Sequence, residues 1–222
     1  MHPRKHRLSF VTLSLLAACA SGSARQHDPA KVDELITSVE QVHVEAERAR
    51  DAIAASFERL NVLAAGRFGS EPAPVVFARF VQSIDAAEQQ AARFRENVSP
   101  MLAAGEPVFT SWQQDIATIS SERLRQRSEL RYAVAKERYD AVATAAVQAR
   151  DRFDGYVAAL RDHATFLAHD LNPSAIDEIQ DEVKLVAQTA QQLDRDLETT
   201  MAAAHAYVDG SSLPAAAPSN GR

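Results

Sequence analysis

The sequence predicts an all-α fold, an elongated antiparallel helical bundle or coiled coil of three to four long helices. Only 7 Gly and 9 Pro interrupt 222 residues, and the helix formers Ala, Glu, Gln and Arg are abundant. Apolar residues recur at alternating steps of three and four over most of the chain, which is coiled-coil periodicity. Runs of β-branched residues and hairpin signals are few, so a sheet is not expected.

The first predicted helix begins at Asp28-Pro29, where an N-cap residue precedes proline at the first helical position. Two apolar columns follow over five heptads. Their members are Val32, Val39, Ala46, Ile53 and Leu60 in one column, and Leu35, Val42, Ala49, Ser56 and Leu63 in the other. Ser56 is the one polar member, and the pattern predicts a helical rod that ends near Ala65.

A breaker cluster from Gly66 to Pro74 predicts a turn after this rod. The columns restart with Phe77, Ile84, Ala91 and Val98 beside Phe80, Ala87, Phe94 and Met101. Pro100 and Pro107 fall within the new segment, and proline costs about 3 kcal/mol inside a helix. Because Val108 and Trp112 stay in phase, we expect kinks or a short restart there, with the helix direction broadly preserved.

The apolar columns fade between Ser120 and Arg131, and their phase slips by one residue. They resume with Tyr132, Tyr139, Ala146, Phe153, Leu160 and Leu167 beside Ala135, Val142, Ala149, Tyr156 and His163. No Gly or Pro lies in the slip, so a bend and a turn are equally compatible with it. The sequence therefore leaves open whether there are three long helices or four.

The last predicted helix follows Asp170-Leu-Asn-Pro173, which is a stop and restart signal. It carries Ile176, Val183, Ala190, Leu197 and Ala204 beside Ile179, Val186, Leu193, Thr200 and Tyr207. Short turns make consecutive helices antiparallel, so one helical domain is predicted over residues 28–208. Residues 209–222, rich in Pro, Ala and Ser, are expected to form a disordered tail.

The first nineteen residues have the build of an export signal. A basic segment precedes an apolar run of 11 residues, from Leu8 to Ala18, which is too short for the roughly 20 residues of a transmembrane helix. Leu16-Ala17-Ala18-Cys19 resembles the lipobox of bacterial lipoproteins, in which the cysteine is acylated after the signal is removed. The resemblance implies a signal peptide over 1–18, lipidation of Cys19 and a tether over 19–27.

The lipobox resemblance also implies a location. Ala20 rather than Asp follows the cysteine, which favours the inner leaflet of the outer membrane, facing the periplasm. The alternative is an ordinary signal peptide with a chance cysteine, and the presence of a single cysteine in 222 residues argues against it. With one cysteine, the mature chain cannot form an internal disulfide.

Charge limits the partners. Without residues 1–18 the chain carries 21 basic and 30 acidic side chains, a formal charge of −9. This balance argues against nucleic acid and favours membrane attachment through acyl chains. A candidate interaction patch for lipid phosphates or an acidic partner contains Arg123, Arg125, Arg127 and Arg131, whereas residues 170–209 carry a net −7. The alternative for both regions is a solvated, salt-bridged helix face.

The few candidate metal-binding or catalytic positions involve histidines. Glu40-Gln-Val-His43 has the Glu-x-x-His step of carboxylate-bridged di-iron bundles, but the sequence holds no second copy. We therefore expect no metal site and a solvated His43. His163 and His169 precede a helix end, which they are expected to cap. The sequence has no nucleophile elbow or phosphate loop, so it predicts neither an enzyme nor a cofactor.

The segment from Leu160 to Ile179 resembles the most distinctive region of a family of bacterial lipoproteins catalogued as a domain of unknown function. The likeness rests on Leu160-Arg161-Asp162, His169, Leu171-Asn172 and Ala175-Ile176, and extends more loosely over 28–208. It implies a helical lipoprotein of the cell envelope and supplies no catalytic residues.

These observations predict a lipid-anchored periplasmic protein with a structural or adaptor role. It would dock an unknown envelope protein or self-associate through a column face that the bundle leaves unused. The alternative function is a carrier or holdase that shelters an apolar ligand or lipid between its helices.

Overall fold

A computed structural model describes residues 29–66 and 68–211. The helices are α1 (Pro29–Ala64), α2 (Ala73–Thr118), α3 (Glu122–His169), α4 (Pro173–Glu178) and α5 (Gln180–Ser211). Four are long and α4 has 6 residues, and no strand occurs among the described residues, so the all-α prediction is confirmed. Cys19, the rest of residues 1–28 and residues 212–222 lie outside the described part of the chain.

The four long helices form a closed ring in which each packs against two antiparallel neighbours. α1 and α3 each contact both α2 and α5. An ion pair and a hydrogen bond cross the seam between α1 and α5: Arg50 pairs with Asp194, and His43 bonds to the Met201 carbonyl oxygen. Residue numbers therefore rise on α1 as they fall on α5, which makes the two helices antiparallel. The fold is therefore an up-down-up-down bundle. None of the helices in the described ranges has the length and hydropathy needed to cross a membrane.

A turn at residues 119–121 separates α2 from α3. Ile119 (φ −72°, ψ 111°) and Ser121 (φ −74°, ψ 111°) have extended backbones, which end one helix and begin the next. Across the hairpin, Trp112 Nε1 donates a hydrogen bond to Ser128 Oγ at 3.3 Å. The question left open by the sequence is resolved as a turn made without Gly or Pro, which gives four long helices.

α2 continues through Pro100 and Pro107 as a single helix of 46 residues. The restart considered at these positions does not occur. Met101 and Val108 are buried beside the two prolines, so continuous packing against the other helices offsets the hydrogen bonds that proline removes.

The other two loops follow their sequence signals. Gly66 and Gly69 adopt φ values of 61° and 60°, in the left-handed region that favours glycine. Asn172 caps α4, because its side chain accepts a hydrogen bond from the Ala175 amide at 3.0 Å. α5 runs to Ser211, three residues beyond the expected end of the helical domain at 208.

The predicted apolar columns form the core. All of their members are buried except four, which are half-buried and pack against the core: Val32, Phe77, Tyr132 and Ala135. The largest fully buried side chains include Phe80, Phe94, Phe153 and Tyr156. The columns of all four long helices therefore meet along one continuous core.

At one level of this core, a polar side chain of α1 meets a polar side chain of α3. Ser56 is fully buried, and its Oγ lies 3.0 Å from Tyr156 Oη. Both hydroxyls lie within hydrogen-bonding distance of the Ile53 carbonyl oxygen, at 3.1 Å and 3.3 Å respectively. Because α1 and α3 are diagonal in the ring, this contact joins two helices that share no seam. Burial raises the pKa of Tyr156 to about 12.

Gly105 permits a close approach between α2 and α3. A Cβ placed there would fall on the Tyr139 ring, with Cε1 at 2.8 Å and the hydroxyl oxygen closer still. The Tyr139 hydroxyl donates to the Met101 carbonyl oxygen at 3.2 Å. The sequence indicated Gly105 only as part of a helix interruption, whereas its physical role is to leave room for this side chain.

Gly105→Ala should destabilise the protein by about 1–3 kcal/mol, because overpacking against Tyr139 outweighs the roughly 1 kcal/mol that alanine usually contributes over glycine in a helix. Gly155→Ala is the matched control, since Gly155 lies inside α3 with no atom within 4 Å of an added Cβ. This variant should gain about 0.5–1 kcal/mol. Urea unfolding measures both, and equal shifts would contradict the proposed contact.

Stability should decline between about pH 10 and 12. Burial raises the pKa values of Tyr156 and Tyr207 from 10.0 to about 12. The contribution of the two tyrosines to the free energy of unfolding is fully present below pH 10. Above pH 10 the free energy of unfolding falls by about 1.4 kcal/mol per pH unit for each tyrosine, because the tyrosine of the unfolded chain ionises while the buried one stays protonated. Urea midpoints across this range measure the decline, and Tyr156→Phe should make it shallower. An unchanged slope in that variant would contradict the assignment.

Candidate functional site

The α2–α3 hairpin extends beyond its partner helices at one end of the bundle. Tyr139 of α3 packs against Tyr207, with ring centroids 6.1 Å apart, and α5 ends shortly afterwards at Ser211. α1 begins at Pro29 at this same end, where Val32 borders the hairpin. Residues 107–138, here called the tip, therefore lack α1 and α5 as neighbours over most of their length.

The α3 half of the tip contains no buried side chain among the described residues 122–138. Leu124, Leu130 and Val134 have exposed fractions of 56%, 69% and 47%. A single exposed leucine is ordinary, but three large apolar side chains within about three helical turns form a patch. The weak columns predicted from Ser120 to Arg131 correspond to this exposed stretch.

Aromatic side chains hold the two helices of the tip together. Phe109 packs on Tyr132 and Tyr139, with ring centroids 6.0 Å and 5.1 Å apart, and Trp112 packs edge-on against Tyr132 at 5.7 Å. Such pairs contribute about 0.5–1.5 kcal/mol each beyond their burial. The tip is therefore ordered by contacts between α2 and α3 themselves.

An open groove of about 1520 Å³ runs along the tip, between α2 and α3 and beside the ends of α1 and α5. Its apolar lining includes Trp112, Ile116, Ile119 and Leu124. Its charged lining consists of three basic side chains, Arg127, Arg131 and Arg138, and one acidic side chain, Asp115. The groove thus combines an apolar surface with positive charge, which suits an amphiphile or an anionic surface.

Charge divides the molecule at the base of the tip. Residues 107–138 hold six basic and four acidic side chains, a net +2. The body of the bundle, residues 29–106 and 139–211, holds thirteen basic and twenty-five acidic side chains, a net −12. The tip is therefore a basic end on an acidic rod.

The structure separates the four arginines of the candidate patch. Arg127 and Arg131 line the groove and pair with no acidic side chain of the described chain. Arg125 instead pairs with Glu122, and Arg123 is exposed outside the groove lining. Arg138, seven residues after Arg131, completes the groove. Its position follows the helical repeat, but the groove itself could not be located from sequence.

His43 lies in the seam between α1 and α5 rather than in solvent. It is half-buried, and its Nδ1 donates a hydrogen bond to the Met201 carbonyl oxygen at 3.2 Å. The expectation of a solvated His43 is therefore wrong, because this helix face is covered by α5. Glu40 is exposed. In the described ranges no group of three His, Cys, Asp or Glu side chains could hold a metal ion.

His163 does not cap the end of α3. It is 8% exposed in the core column, and its Nδ1 donates to the Ala159 carbonyl oxygen of the same helix at 2.7 Å. The capping expectation is wrong for His163 because α3 continues past it to His169. His169 lies in the last turn, where the helix dipole favours a cation.

Fold and site together define a four-helix-bundle protein with an acidic body and a basic, partly apolar tip. The chain belongs to the family described as Protein of unknown function (DUF2959), which matches residues 25–210. The match includes the tip, and it confirms the family resemblance seen around residues 160–179. No curated protein matches the chain at a significant level.

The α3 half of the tip should show faster amide exchange than the part of α3 that lies in the body of the bundle. Its helix has no buried stripe, so it is held by its aromatic contacts and by ion pairs worth a few tenths of a kcal/mol each. Hydrogen exchange read by mass spectrometry should give faster labelling for residues 122–131 than for 139–167. Equal protection of the two segments would show that the tip is packed as tightly as the core.

Proposed function

We propose that this protein is a lipid-anchored structural or adaptor protein of the bacterial cell envelope, and that it has no catalytic activity. Acyl chains on Cys19 hold it at the inner leaflet of the outer membrane, with the bundle in the periplasm. The observation that carries the proposal is the position of Pro29, at the tip end of a long rod. An anchor ten residues before it holds that end near the membrane.

The length of the rod supports a role at a distance from the anchor. α1 has 36 residues and α3 has 48, which correspond to about 54 Å and 72 Å. The turn at 66–72 and α4 lie at the far end, so an anchored bundle presents them roughly 50 Å or more from Pro29. This arrangement suits a spacer or an adaptor.

The far end offers a surface for a protein partner. Val75, Phe166 and Leu185 have exposed fractions of 41%, 45% and 61%, and all three lie in the half of the bundle remote from the tip. Residues 170–185, at this end, hold five acidic side chains and one basic side chain, a net −4. Exposed apolar side chains within an acidic surface suit a partner with an apolar patch and basic rim, or a second copy whose contact includes its tip.

A carrier function is the second candidate, and the groove of the tip favours it. Its volume of about 1520 Å³ and its apolar lining are compatible with an acyl chain. The core of the body is filled by its own side chains, including Phe80, Phe94 and Phe153 at 0% exposure. A carried ligand would therefore occupy the groove and not the interior of the body.

The state of the purified protein separates the two candidates. An oligomer or a stable complex with an envelope protein, free of bound lipid, supports the adaptor. A monomer that retains stoichiometric lipid through purification, and loses it in Leu124→Asp, supports the carrier. Native mass spectrometry of the protein extracted in mild detergent reports both quantities in one measurement.

Cys19→Ser should move the protein from the membrane fraction to the soluble periplasmic fraction, because the body carries no spanning helix among its described residues and a net negative charge. Ser23→Ala is the control, since it alters the tether and leaves the cysteine in place. Cell fractionation with immunoblotting measures the distribution. A Cys19→Ser protein that stays with the membrane at the wild-type level would contradict lipid anchoring.

A further inference from the structure

The tip and the proposed anchor lie at the same end of the molecule. Residues 122–138 of α3 rise about 25 Å along the helix axis. The ten residues 19–28 span up to about 35 Å when extended. A membrane that holds Cys19 is therefore within reach of the whole tip.

One face of α3 is left uncovered in the tip. Leu124, Arg127, Arg131 and Val134 follow one another at steps of three and four, which places them on one side of the helix. Deeper in the bundle the same side of α3 meets α5, as the ion pair between Arg152 and Asp196 shows. α5 ends at Ser211, before it reaches these four residues, so among residues 29–66 and 68–211 no helix covers this face.

We propose that this face docks onto the surface of an anionic phospholipid bilayer, with Arg127 and Arg131 at the lipid phosphates and Leu124, Leu130 and Val134 at the level of the headgroups. The proposal rests on the lipid anchoring of the proposed function. Basic side chains beside exposed apolar ones are the composition of surfaces that bind anionic membranes. Arginine keeps its charge in water while its aliphatic stem lies along apolar surface.

Charge favours the bilayer over residues 212–222 and over the tip of a second copy as the partner of this face. Residues 212–222, which follow Ser211, contain no acidic side chain that could pair with Arg127 and Arg131. A second copy docked tip to tip would meet like charge, because its tip carries the same net +2. A tip docked on the acidic body of a second copy would instead form a dimer that dissociates when Arg127 and Arg131 are reversed. An anionic bilayer attracts the tip and repels the body at −12, so the same field that binds the tip also orients the rod away from the surface.

The chain carries its own probes for a test. Cys19 is its only cysteine and Trp112, which lines the groove, is its only tryptophan. The mature chain, residues 19–222, retains every described residue, so it can be produced without lipid and coupled at Cys19 to a maleimide lipid in vesicles. Brominated phosphatidylglycerol then quenches Trp112 fluorescence if the tip reaches the headgroup region.

Quenching of Trp112 should be at least twofold greater on vesicles containing brominated phosphatidylglycerol than on brominated phosphatidylcholine alone, and it should fall with added salt. Arg127→Glu combined with Arg131→Glu should abolish this difference. Arg59→Glu combined with Arg93→Glu is the matched control: both arginines are exposed on the body, and the net charge changes by the same amount. This control should retain the quenching of the wild type.

Three results would overturn the proposal. The first is an unquenched Trp112 on anchored, folded protein, with folding checked by circular dichroism. The second is an equal loss in the body control, which would assign the effect to net charge alone. The third is a dimer that dissociates on reversal of Arg127 and Arg131, which would make the face a contact between copies. In this experiment a maleimide lipid replaces the acyl chains, so a negative result contradicts docking by the tip and does not bear on acylation of Cys19. Acylation is tested separately by the fractionation of Cys19→Ser.

Discussion

The bundle depends on the mutual burial of two apolar columns on each long helix. Each column is covered only where the neighbouring helices run beside it, and burial of a large apolar side chain is worth about 1.5–3 kcal/mol. α3 illustrates this dependence, because its columns are complete from Tyr139 to Leu167 and absent between Glu122 and Arg131. The change falls where α1 begins and α5 ends. The apolar pattern of one helix thus matches the lengths of its partners.

The heptad columns were predictable because periodicity is a local property: Leu35, Ile53 and Leu193 are buried as their spacing indicates. The turn at 119–121 was not, since it contains neither Gly nor Pro and depends on contacts between α2 and α3. The groove was not predictable either. Its existence depends on where α1 and α5 stop, and a linear pattern does not state which helices lie side by side.

In the proposed function, membrane attachment and orientation depend on different parts of the molecule. The proposed acylation of Cys19 supplies a strong but undirected attachment, because acyl chains hold a protein at the bilayer without setting its tilt. In the proposed docking, the difference in charge between body and tip would orient the rod on an anionic bilayer without requiring high affinity. The continuous apolar core that joins the four long helices holds the acidic surface on one frame. A weak contact at the tip is then sufficient to set the angle of the whole rod.

The hydroxyl groups of Ser56 and Tyr156 influence the register in which α1 and α3 pack. Heptad packing alone is similar after a slip of seven residues, so columns of like side chains permit more than one register between helices. A slip of this size would place Tyr156 opposite Ala49 or Leu63, which occupy the same column as Ser56 and offer no polar side chain. Tyr156 would then keep only a backbone carbonyl oxygen as its partner and lose the hydrogen bond to Ser56, and such a bond is worth about 0.5–1.5 kcal/mol. The contact between α1 and α3 therefore selects one register among those that apolar packing would allow.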